Sequence, residues 1–75
     1  MPSPETIRIR LLEAFPDARV EVTDLTGSED HFQALVVTSA FQGKSRLEQH
    51  RLVYAALGDL MHAQIHALAL TTRAT

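Results

Sequence analysis

Arg19-Val20-Glu21-Val22-Thr23-Asp24-Leu25 and His31-Phe32-Gln33-Ala34-Leu35-Val36-Val37-Thr38 are two short runs that differ in one respect. The first alternates: Val20 and Val22 stand against Arg19, Glu21 and Thr23, the pattern of a strand buried on one face. The second carries Phe32, Leu35, Val36 and Val37, so apolar groups fall on both faces, as in a central strand. Between them, Thr26-Gly27-Ser28-Glu29-Asp30 has turn chemistry, with Gly27 free to take positive φ. The two runs therefore read as a hairpin whose second strand needs a further neighbour.

That neighbour lies beyond a helix. Ser39 to Lys44 reads as a connection pivoting at Gly43. Ser45-Arg46-Leu47-Glu48 is a capping box, in which the Ser45 hydroxyl reaches forward and Glu48 reaches back. A long helix follows to about Met61, with Leu47, Val53, Tyr54, Leu57, Leu60 and Met61 as its apolar stripe. Gly58 marks a break into two helical pieces. Ile65 to Thr72 reads as the last strand, and Arg73 to Thr75 as a frayed tail. Upstream, Ser3 caps a first helix with Pro4 in its first turn and Glu5 at the positive end of its dipole. Ile7, Leu11, Leu12 and Phe15 share one side of it, and Pro16-Asp17 ends it.

The predicted order is α-β-β-α-(α)-β, an α/β (α+β) fold with a three-stranded mixed sheet and helices on one face. A helical connection between the second and third strands lets them run parallel, in sheet order 1-2-3. Parallel neighbours start at the same end. Ile65 and His66 then fall beside Asp30 and His31, at the end that also carries the hairpin loop. This is where the sequence gathers potential metal ligands.

The chain has 75 residues, enough for one small domain spanning 1–75. Without cysteine, disulfides, thiol catalysis and zinc fingers are excluded. No apolar stretch is long enough for a transmembrane helix, and the N-terminus lacks signal-peptide character, so a cytoplasmic location and no membrane partner are expected. The formal charge of -2 argues against a general grip on nucleic acid. Lys44, Arg46 and Arg51 nevertheless surround the start of the long helix, where a phosphate can be held. His50 reads as a hydrogen-bonded structural histidine at the edge of the stripe, and His62 as a surface residue. Ser28, Ser39 and Ser45 lack a nucleophile-elbow context, and Gly43-Lys44-Ser45 lacks the upstream glycine of a P-loop. No enzyme is expected.

Two sets of residues carry a resemblance over nearly the whole chain. One is Thr23-Asp24, Asp30-His31-Phe32 and Phe41-Gln42-Gly43-Lys44. The other is Gln49-His50-Arg51-Leu52-Val53-Tyr54 and Ile65-His66-Ala67-Leu68. Together they resemble the BolA family in its short, BolA-like (IbaG-type) form. The resemblance implies a KH-like fold and a monothiol glutaredoxin as partner, with roles in iron homeostasis, transcriptional regulation and the stress response. It implies a [2Fe-2S] cluster shared with the glutaredoxin cysteine and glutathione, with no cofactor on the isolated protein, which is expected to be a monomer or weak homodimer. The family's histidine ligand at the start of the last strand matches His66. Some members add a cysteine or histidine from the hairpin loop. The loop here, Leu25 to Asp30, has neither, which leaves His31 or a carboxylate as second ligand. The alternative is a DNA-binding regulator using Lys44, Arg46 and Arg51. The GxxG loop of nucleic-acid-binding KH domains is absent.

Overall fold

The computed structural model describes residues 3–27, 31–63, 65 and 67–75, with backbone alone at 62 and 63. The elements run α1 (Pro4–Ala14), β1 (Arg19–Asp24), β2 (His31–Val37), a 3-10 turn (Ser39–Phe41), α2 (Arg46–Leu57), α3 (Asp59–Ala63) and β3 (Ala67–Arg73). The sheet order is β1-β2-β3. β1 and β2 pair antiparallel from Arg19↔Val37 to Asp24↔Phe32. β2 and β3 pair parallel from His31↔Ala67 to Val37↔Arg73. The expected mixed sheet is therefore present, with its central strand and its parallel pair.

The helix ends are set locally. Ser3 Oγ accepts from the Thr6 N–H at 3.1 Å. The Glu48 N–H donates to Ser45 Oγ at 3.2 Å, and the Ser45 N–H donates to Glu48 Oε1 at 2.9 Å, completing the capping box. α2 stops at Gly58, which takes φ +53° and ψ -125°, and α3 begins at the next residue.

Ile7 and Leu11 from α1, with Phe15 at its C-cap, meet Val20, Phe32 and Val36 from the sheet, and Val53, Leu57 and Leu60 from α2 and α3. Phe41 and Ile65 complete this core. In β2 the buried residues are Phe32, Ala34 and Val36, all on the helix side, while Leu35 and Val37 stay half-buried on the outer face. Among the described residues no helix is long and apolar enough to cross a membrane.

The structure departs from the sequence reading in four places. Leu47 and Tyr54 are exposed at 59% and 40%, outside the buried stripe. They are seven residues apart, so they share a helix face, and Val53 and Leu57 take the inner one. Ile65, expected to open the last strand, lies outside it: its N–H bonds the Leu60 carbonyl at 2.9 Å, tying it to the exit of α3, and β3 is described from Ala67. The tail is held rather than frayed. Arg73 pairs with Val37, its carbonyl accepts from the Thr38 N–H at 3.1 Å, and Gln42 Nε2 donates to the Thr75 carbonyl at 2.9 Å. Finally, the connection after β2 contains a 3-10 turn that puts Phe41 in the core, its ring edge-on to Phe15 at 5.4 Å.

Candidate functional site

His31 opens β2 and is half-buried at the sheet rim, in register with Ala67, the first residue of β3. The rim is shaped by the hairpin. The Leu25 N–H donates to the His31 carbonyl at 2.9 Å. Asp24 Oδ1 accepts from the N–H groups of Thr26 and Gly27, at 3.2 and 3.0 Å, and so turns the chain. Gly27 takes φ +77°, as the turn requires. Parallel pairing thus brings the starts of β2 and β3 side by side. His66 precedes Ala67 in the chain and lies outside the described residues, as do Ser28, Glu29 and Asp30. Among the described residues no group of three or more His, Cys, Asp or Glu side chains could hold a metal ion. A centre that took most of its ligands from a partner would need no such group. A half-buried imidazole on a sheet rim is a nitrogen donor of the kind that iron accepts.

Lys44, Arg46 and Arg51 line two different grooves. Lys44 and Arg51 line a shallow groove of about 260 Å³ together with Glu48 and Leu52. Arg46 lines a different groove, with β3. Hydrogen bonds from the backbone and side chain of Ser45 hold the Glu48 carboxyl below the usual range, and the charges of Lys44 and Arg51 add to this. Glu48 is therefore an anion set between two of the three cations proposed for nucleic acid. His50 is half-buried, and its ring meets Tyr54 edge-on at 6.4 Å. His62 lies in α3, and its side chain is outside the description.

Sequence reasoning missed Asp17, reading it only as a helix stop. Its Oδ1 accepts from Thr38 Oγ1 at 2.6 Å, and its Oδ2 accepts from Ser39 Oγ at 2.6 Å and from the Ser39 N–H at 3.1 Å. Thr38 is fully buried, so its hydroxyl needs this acceptor. The bonds from the Ser39 and Thr38 hydroxyls, with that from the Ser39 N–H, hold the Asp17 carboxyl at about 2, against an ordinary 3.8. No local pattern could have revealed this, because the partners lie 21 and 22 positions away. The native state favours ionised Asp17. Its stabilisation is therefore complete above the unfolded value of 3.8 and is lost as pH falls through about 2. Asp17→Asn is expected to melt at a lower temperature at neutral pH and to show a flatter acid limb over that window. Parallel limbs in the two proteins would count against this reading.

Comparison with known proteins agrees with the fold. The family pattern described as "BolA-like protein" matches residues 11–75. BolA-like protein 1 of Homo sapiens is 39% identical over 79 residues, which span 96% of this chain and 58% of that protein. The chain thus matches little more than half of its human relative. The DNA-binding transcriptional regulator BolA of Escherichia coli is 36% identical over 75 residues, covering 91% of this chain and 71% of that one. The structure of a BolA homologue from Coxiella burnetii superposes with a TM-score of 0.82 at 35% identity, over 99% of this chain and 92% of the other. With the three-stranded mixed sheet, the capped helices and this agreement along the chain, the protein belongs to the BolA family.

Proposed function

We propose that this protein is a non-catalytic partner of a monothiol glutaredoxin and that the two share a [2Fe-2S] cluster for sensing or delivery of iron–sulfur units. The observation that supports this most is the parallel pairing of β2 with β3. It puts half-buried His31 in register with the residue that follows His66 in the chain. In this reading His66 supplies a nitrogen ligand from the start of the last strand. His31 supplies the second contact, because the hairpin loop offers no cysteine or histidine. A nitrogen ligand in place of sulfur is expected to raise the potential of the bound cluster, as in Rieske centres. The partner brings the thiolate and glutathione, which accords with a chain that has no cysteine of its own.

The test is a titration of this protein into cluster-loaded monothiol glutaredoxin, followed by visible circular dichroism. A new spectrum that saturates at equimolar protein and is abolished by His66→Ala is the expected result. His31→Ala should shift or weaken it. An identical spectrum and potential with His66→Ala would sink the assignment.

A second reading, DNA-binding regulation, is favoured by the name of the Escherichia coli relative. Against it stand the division of Lys44, Arg46 and Arg51 between two grooves and the anion Glu48 beside two of them. Its test is a salt titration of duplex DNA binding. A steep log–log slope reduced by Lys44→Ala and Arg46→Ala supports it, and no binding at moderate salt removes it.

A further inference from the structure

β3 is an edge of the sheet, and one side of its backbone is open. The Arg73 carbonyl accepts from the Thr38 N–H at 3.1 Å, and Arg73 pairs with Val37, so the backbone groups of Arg73 face β2. Backbone direction alternates along a strand. The N–H and C=O groups of Ala67, Ala69 and Thr71 therefore face β2 as well, and those of Leu68, Leu70 and Thr72 face away from it. Beside this open edge lies a groove of about 430 Å³, bounded by Arg46 and His50 from α2 and by Leu70, Thr71, Thr72 and Arg73. Consecutive strand residues point to opposite faces, so such an unbroken run lines one groove only where the backbone itself is bared. Leu68 and Leu70 are in register with Phe32 and Ala34 on the helix side, yet they stay only half-buried.

The two edges of the sheet are not alike. β1, the opposite edge, carries Arg19, Glu21 and Asp24, and the first two form an ion pair at 2.6 Å. Charges on an edge strand keep another strand from adding to it. β3 has no charge, proline or glycine from Ala67 to Thr72, and its one charge, Arg73, stands at its end. The fold thus blunts one edge and leaves the other open.

We propose that the β3 edge docks a second copy of this chain, the two strands pairing antiparallel about Leu70. Leu70 then lies opposite the second copy's Leu70, and Leu68 opposite its Thr72. Every outward N–H and C=O of Leu68, Leu70 and Thr72 gains a partner, and no other antiparallel two-fold register of the two strands uses all of them. On the helix side, the second copy's Leu70 and Leu68 enter the space beside Leu70 and Thr72, where the groove opens. On the outer face Ala69 meets Thr71 and Arg73 meets Ala67, so no like charges stand opposite each other. The assembly closes. The two-fold axis joins two three-stranded sheets into one, and both of its outer edges are the charged β1. A strand of seven residues spans about 23 Å, so the contact belongs to the small, readily dissociating class. None of this rests on the iron reading, because the pairing uses neither His31 nor His66.

The test is sedimentation equilibrium of the full chain, with amide hydrogen exchange followed by NMR on the same samples. A monomer–dimer equilibrium with a Kd between about 1 μM and about 1 mM is expected. Protection of the Leu68, Leu70 and Thr72 amides should rise with protein concentration, while that of β1 should not. In a chemically synthesised chain, N-methylation of Leu70 removes one outward N–H and keeps the side chain. It should abolish the dimer and leave the melting temperature of the dilute protein unchanged. Charge reversal checks the register at two exposed positions. Ala69→Lys with Thr71→Lys sets like charges face to face across the two-fold axis and should weaken the dimer about tenfold. Ala69→Lys with Thr71→Glu sets opposite charges there and should restore it. A chain that stays monomeric up to about 1 mM would overturn the proposal. So would a dimer indifferent to N-methyl-Leu70, equal effects of the two charge pairs, or oligomers that keep growing with concentration. A monomer whose Leu68, Leu70 and Thr72 amides gain protection only on adding the glutaredoxin or a single-stranded oligonucleotide would give the edge to that partner and overturn it too.

Discussion

Phe41→Ala is expected to lower the free energy of unfolding by about 3–5 kcal/mol, the usual cost of emptying a buried phenylalanine site. A core in a domain this small yields only about 3–5 kcal/mol of net stability, so the variant should be largely unfolded at room temperature. Phe41 is fully buried although it sits in a three-residue 3-10 turn between β2 and α2. Its ring meets Phe15 at an interplanar angle of 62°, an edge-on pair worth about 0.5–1.5 kcal/mol beyond burial. The turn itself is tied on both sides. The Phe41 N–H bonds the Thr38 carbonyl at 3.2 Å, and the Lys44 N–H bonds the Phe41 carbonyl at 3.1 Å. With its backbone held, the site cannot readily collapse onto a smaller side chain, and the cavity remains. Phe41→Leu should recover most of the loss. Urea denaturation measures both variants. A loss below about 1 kcal/mol for alanine would mean that the turn repacks, and that Phe41 does not brace α1 against the connection.

Gly58→Ala is expected to cost about 1–3 kcal/mol, and for a reason that has nothing to do with space. A Cβ at this position would find its nearest neighbour, the Ala55 carbonyl oxygen, 3.8 Å away. The penalty lies in the backbone, since φ +53° with ψ -125° is a region that L-residues avoid. The position is bonded in both directions. Its N–H donates to the Tyr54 carbonyl at 2.9 Å, and its carbonyl accepts from the Met61 N–H at 3.2 Å. It ends α2 and aims α3, which delivers Leu60 and Ile65 to the core immediately before β3. A relaxed backbone at 58 would therefore move the start of β3 as well as weaken the helix. A D-alanine tests the cause directly, because its allowed regions are the mirror image of those of L-alanine. In a chemically synthesised chain, D-alanine at 58 should match or exceed the parent's stability. Equal losses for the two enantiomers would point to packing instead.

Much of this architecture is legible in the chain because its causes are local. Alternation marks β1, apolar residues on both faces mark β2 as central, and Ser3, Ser45 and Glu48 mark two helix starts. Gly58 marks the break after α2. From element order alone, a helix between β2 and β3 implies parallel pairing, and so the meeting of strand starts around His31. The burial of α2 is less legible. Leu47, Leu52, Val53, Tyr54 and Leu57 are spread around the helix, and periodicity alone does not choose between faces. The choice of Val53 and Leu57 comes from α1 and the sheet.

The candidate site divides in the same way. The residue types and the rim position of His31 follow from sequence and topology. The separation of Arg46 from Lys44 and Arg51 does not, since it depends on which side of α2 meets β3. The same holds for Asp17, whose partners arrive from another element. What the sequence by itself determined is the order, type and capping of the elements, because these arise from hydrogen bonds and side-chain periodicity within a few residues. What only the tertiary structure decided is which helix face is buried, how Phe41 and Asp17 lock the turn after β2, and which cations share a groove. Those outcomes rest on contacts between distant residues, and no such contact exists until the chain has folded.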